Sequence, residues 1–73
     1  MKLFYSKACD HLLIVLNEEL FEKVDPPWEK GWEYMGIGVL EESITSDRLL
    51  AIEISDAARK LPEALLNSAE QVE

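Results

Sequence analysis

Leu12-Leu13-Ile14-Val15-Leu16 is the run on which the fold turns. Unbroken apolar residues carry no period, so it reads equally as a buried strand or as part of a buried helix. The residues around it favour helix. Cys9, Leu12, Leu13, Leu16, Leu20 and Val24 recur at the spacing that covers one helical face. Ser6 is a suitable N-cap, and Lys23 follows Glu19 by four, the favourable orientation for a helical ion pair. Asp25 precedes Pro26, whose ring disfavours helical backbone before it. Ile14 and Phe21 then make a second apolar patch on this helix, which gives it two neighbours.

Beyond the helix lies Asp25 to Gly38, DPPWEKGWEYMGIG, with both tryptophans, all three glycines and two of the three prolines. Gly36 and Gly38 are poor helix-interior residues, whereas Tyr34, Ile37 and Val39 suit extended backbone, so a short strand is expected over Tyr34 to Leu40. Thr45, Ser46 and Asp47 read as a helix start, continued by Leu50, Ile54, Ala57, Ala58 and Leu61 on one face. The rival is a strand over Leu49 to Ile54, with Ser55 capping a later helix. Pro62 opens a last helix in which Leu65, Leu66, Ala69 and Val72 share a face. Met1 to Tyr5 extends as a strand or packs as a tail. The expected fold is therefore mainly α: about three helices and a central aromatic Gly-Pro connector carrying one short strand. The alternative is α+β, with a small antiparallel sheet and a C-terminal helix.

Seventy-three residues make one small domain, whose core supplies only about 3–5 kcal/mol of net stability. With 48% of residues apolar, some apolar surface is expected to meet a second chain, a copy of itself as a homodimer or another protein. The net charge of −8 repels nucleic acid and anionic membranes and favours a basic partner. No apolar run approaches the roughly 20 residues of a membrane span, and Lys7 and Asp10 interrupt any leader-like segment. One unpaired cysteine fits a reducing cytoplasm.

Catalysis finds little support. Cys9, Asp10 and His11 are adjacent, but on a helix such neighbours diverge by about 100° per residue. His11 and Glu18, seven residues apart, are about 10 Å apart along a helix, too far for one metal ion. Glu18–Glu19 and Glu41–Glu42 read as solvated surface charge, and Gly36-Ile37-Gly38 lacks the rest of a phosphate loop. No enzyme, metal or cofactor is expected.

Acids and aromatics interleave instead. From Glu18 to Glu33 stand six acids (Glu18, Glu19, Glu22, Asp25, Glu29, Glu33) and two lysines, a net charge of −4. Trp28, Trp32 and Tyr34 lie among and just beyond them, and such rings dominate interface energetics while rim charges steer approach. The expected function is a non-catalytic module that binds and inhibits or modulates a protein with a basic surface. Its contact residues would be Trp28, Glu29, Trp32, Glu33 and Tyr34, with Glu18 and Glu22 alongside. In size and acidity, though in no residue motif, the chain resembles small phage-encoded inhibitors, anti-CRISPR proteins among them, and bacterial immunity proteins. The alternative is a nucleic-acid mimic, whose carboxylates imitate a phosphate track and occupy a basic nucleic-acid-binding cleft. A third expectation is a structural homodimer or assembly subunit joined through its apolar helix face.

Overall fold

The computed structural model describes residues 1–23, 29–41 and 48–72, with the side chains of Glu29 and Lys30 left aside. Among these residues six strands and three short helices follow in the order β1 (Lys2–Ser6), β2 (His11–Val15), α1 (Glu18–Lys23), β3 (Glu29–Tyr34), β4 (Ile37–Glu41), β5 (Leu49–Ser55), α2 (Ala57–Lys60), α3 (Glu63–Ser68) and β6 (Glu70–Val72). The strands form one sheet in the order β3-β4-β5-β2-β1-β6, antiparallel except where β6 runs parallel to β1.

The mainly α expectation is overturned, and the ambiguous run explains why. Leu12 to Val15 forms β2, an interior strand between β1 and β5. Leu12 and Ile14 pack with Tyr5 and Ile54 in one core cluster, while Leu13 joins Leu40, Leu50 and Ala51 in another on the opposite face. A strand buried on both faces shows no polar alternation, which leaves its sequence looking like a buried helix. The small sheet of the α+β alternative also falls short of six strands in a mixed arrangement.

Other corrections follow from this one. Ser6 ends β1 rather than capping a helix, and its Oγ accepts from the Cys9 N–H within the β1–β2 turn. The helix begins only at Glu18. Asn17 caps it, its Oδ1 accepting from Leu20 N–H at 2.9 Å, a role the sequence reading missed. The Glu19–Lys23 pair forms as expected, at 2.9 Å. Residues 49–55 form β5, so the helical face drawn through Leu50 and Ile54 does not exist there. The helix starts proposed at Thr45 to Asp47 and the stop at Asp25–Pro26 lie outside the described residues. Pro62 does precede a helix, but α3 ends at Ser68 and Val72 belongs to β6.

The expected strand over Tyr34 to Leu40 is two strands. Met35 and Gly36, with φ of 51° and 80°, form a two-residue hairpin turn between β3 and β4. Positive φ at both positions defines the type whose twist matches the strands it joins. A bulge interrupts β3 where pairing skips from Lys30 to Trp32. The skipped residue is Gly31, where an added Cβ would have to displace the Glu41 carboxylate, the end of a long side chain.

An uncharged sheet face with an aromatic end

Strand register builds the candidate surface residue by residue. Tyr34, Ile37, Ile54, Leu12 and Tyr5 lie side by side across β3, β4, β5, β2 and β1. One step along the strands, Trp32, Val39, Ile52, Ile14 and Leu3 make a second row on the same face. All ten are apolar or aromatic. The next residues along each strand necessarily face the other way. Their row is Glu33, Gly38, Glu53, Leu13 and Phe4. Charge therefore sits on one side of this part of the sheet, and none in these two rows on the other.

Helices α2 and α3 cover only part of the uncharged face. Ala57 and Leu66 pack on Tyr5, Leu12 and Ile54, with Leu61 and Leu65 alongside. Five strands of five residues present about 24 by 16 Å, roughly 390 Å². Helices of four and six residues are about 6 and 9 Å long and about 10 Å wide, a footprint near 150 Å². At the β3–β4 end Trp32 is 55% exposed, Tyr34 70%, Met35 74% and Ile37 37%, whereas Val39 beside them is buried.

Lys60 fixes this corner in place. From the end of α2 its Nζ donates to the carbonyls of Ser55 at 2.6 Å and Met35 at 2.9 Å. The Ser55 N–H in turn donates to Gly36 O at 2.8 Å, so the hairpin tip is tied to β5 and α2 together. At the far side of α2, Asp10 performs a similar task. Its backbone stands at φ 55°, its carbonyl accepts from Ala57 N–H at 3.0 Å, and its carboxylate accepts from Ala58 N–H at 3.0 Å and Tyr5 O–H at 2.7 Å. The tyrosine hydroxyl first, then the backbone N–H, hold the Asp10 carboxyl below its usual pKa; the same contact raises Tyr5 above its own.

The sequence-predicted contact surface is divided by this geometry. Trp32 and Tyr34 come together on the uncharged face, and Glu33 faces the opposite way between them. Helix α1 lies on that opposite face, where Leu20 packs on Leu40, Leu50 and Ala51. Glu22 is exposed on α1. Glu18 accepts from the Met1 ammonium at 2.8 Å, which lowers its carboxyl pKa. Trp28 lies outside the described residues, and Glu29 is placed only as the first residue of β3. Met35 and Ile37 were missed as surface residues; recognising the hairpin turn would have revealed both.

Catalytic geometry does not assemble around His11. Its Nδ1 is 3.8 Å from Glu53, Cys9 is exposed in the preceding turn, and Asp10 is engaged by Tyr5 and α2. The helical argument against this trio does not apply, because His11 starts a strand. Among the described residues no three His, Cys, Asp or Glu side chains gather as a metal site. Nor is any described helix long and apolar enough to cross a membrane. A concavity of about 360 Å³ lies away from the aromatic corner, between Tyr5, Lys7, Glu63, Leu66 and Gln71. No protein-family model matches the chain, and neither a curated protein nor a solved structure shows significant similarity to it. The structure defines a small mixed-sheet protein with two uncharged rows on one sheet face and exposed aromatic side chains at their β3–β4 end.

Proposed function

We propose that this protein is a non-catalytic cytoplasmic interaction module that acts by docking another protein chain on the open end of its uncharged sheet face. The supporting observation is the grouping of Trp32, Tyr34, Met35 and Ile37 at one corner, each well exposed and with no acid among them. Rings offering both apolar area and a polar tip are the usual anchors of protein interfaces. The acids keep a different role: at −8 they repel nucleic acid, and none stands in the two rows of the contact. Inhibition would follow by covering a surface that the partner needs.

Capture from a native lysate separates this from nucleic-acid mimicry. A Trp32→Ser/Tyr34→Ser variant that keeps the far-UV spectrum of the parent is expected to lose its bound protein. A Glu18→Lys/Glu22→Lys/Glu33→Lys variant is expected to retain it. The reverse pattern, together with steep loss of binding in salt, would establish the mimic instead.

A further inference from the structure

We infer that the chain docked on this corner is a second copy of the protein, so that two sheets meet through their uncharged faces at the β3–β4 ends. The inference rests on the docking reading above and names its partner.

Area supports it first. A wholly exposed aromatic ring offers about 150–250 Å², so the exposures of Trp32 and Tyr34 leave roughly 250 Å² available. Met35 and Ile37 bring the corner to about 450 Å², the size of a functional patch on a small protein. Two such corners bury about 900 Å², and the half-buried Ile52 and Ile14 of the second row carry the total to about 1,000 Å². That is the size of a weak, reversible contact between two chains. A two-fold arrangement is self-matching, since each copy presents the same rings to the other.

Charge supports it second. Two chains at −8 repel, and self-association is favourable only where their acids stay apart. The ten positions of the two rows carry none, while Glu33 and Glu53 face away from the contact and α1 lies behind it. Charges do flank these rows: Lys60 of α2 is bonded to carbonyls, Arg59 is 3.8 Å from Asp56, and the Glu41 carboxylate lies against Gly31 at the edge of the second row. A basic partner would find no acid in these rows to pair with at the contact itself. A second copy needs none.

Sedimentation equilibrium of the full chain from about 1 µM to 1 mM tests this. The expected mass rises from that of one chain, 8.3 kDa, to twice that value. Raising salt from about 50 to 500 mM should leave the dissociation constant unchanged or lower it, because screening removes the net repulsion. Tyr34→Lys, on a side chain largely in water, should weaken association at least tenfold without altering the melting temperature. Leu16→Lys, an exposed apolar position remote from this corner, should leave it intact. A wild-type chain that stays single throughout overturns the self-pairing and leaves the docking surface to another protein. A dimer that survives Tyr34→Lys but breaks in Leu16→Lys overturns both, and restores an interface on the α1 side.

Discussion

Met35 is an unusual residue for its position, and replacing it separates what the turn needs from what the surface presents. At φ 51° an L-residue brings its Cβ close to the following carbonyl, at a cost of about 1–2 kcal/mol. Asparagine tolerates this conformation far better, and Asn-Gly is the preferred pair for such a turn. Met35→Asn should therefore recover about 1 kcal/mol of backbone strain. Against that, Met35 is 74% exposed, so about a quarter of its side chain is in contact with protein. A quarter of the 1.5–3 kcal/mol for full burial is about 0.5 kcal/mol lost. The net is a gain of about 0.5 kcal/mol for Met35→Asn. Met35→Ala loses the same contact without relieving the backbone and should cost about 0.5 kcal/mol. The difference of about 1 kcal/mol between the two variants isolates the turn, and corresponds to about 4–8 °C in melting temperature for a domain of this size. Urea titrations followed by circular dichroism at one pH give both values, provided the m-values agree. If Met35→Ala proves as stable as Met35→Asn, the left-handed backbone is not a source of strain and the turn assignment fails. Both variants should weaken self-association, because both remove the thioether from the contact.

Two further outcomes follow from the tethers on either side of α2. Lys60→Met removes both hydrogen bonds to the hairpin and β5 carbonyls, and at this half-exposed site should cost about 1 kcal/mol; amide exchange at Ser55 should accelerate while Leu12 keeps its protection, and equal protection at Ser55 in both proteins would remove Lys60 from this role. Asp10 has a folded pKa below its unfolded value near 3.8, so its contribution is present above that pH and disappears as pH falls through the lowered value. Tyr5 is raised above 10.0, so its contribution holds below that pH and disappears as pH climbs through the raised value. Asp10→Asn should accordingly flatten the acid limb of a stability–pH profile and Tyr5→Phe the alkaline limb. Unchanged limbs in both variants would mean that the Tyr5–Asp10 contact contributes nothing to folding.

How much of this was readable beforehand depends on what each segment had to disclose. The Glu19–Lys23 pair and the helix after Pro62 rest on local rules that need no tertiary context, and both were legible. The strand character of Tyr34 to Leu40 was legible too, since paired glycines and β-branched residues argue against helix wherever they fall. Leu12 to Val15 was not, because burial on both faces erases the alternation that marks a strand. Leu49 to Ser55 failed for another reason. The β4–β5 pairing is irregular between Leu40 and Glu41, so Leu50 and Ala51 both join the core of the opposite face, and the alternation breaks where it was most needed. The hairpin was hidden because methionine is no turn signal. Had it been seen, the site would have been partly derivable: residues two apart on a strand share a face, which groups Trp32 with Tyr34 and sends Glu33 to the other side.

Folding alone does not account for the residues at the open corner. Tyr34 is in water over most of its surface, so little stability depends on a phenol there; threonine would suit an edge strand as well and add solubility. Trp32 is half exposed on the same strand. Met35 occupies a position where its backbone is strained and its side chain is mostly solvated. Each choice is slightly unfavourable for an isolated soluble sheet, and each has a cheap replacement. The three are neighbours at one end of one strand, on the side of the sheet that carries no acid in its two rows, beside the part of that face that α2 and α3 are too short to cover. Local rules broken together at one place mark a surface shaped by something other than folding. A contact with another chain uses all three departures at once, whereas a free monomer uses none of them.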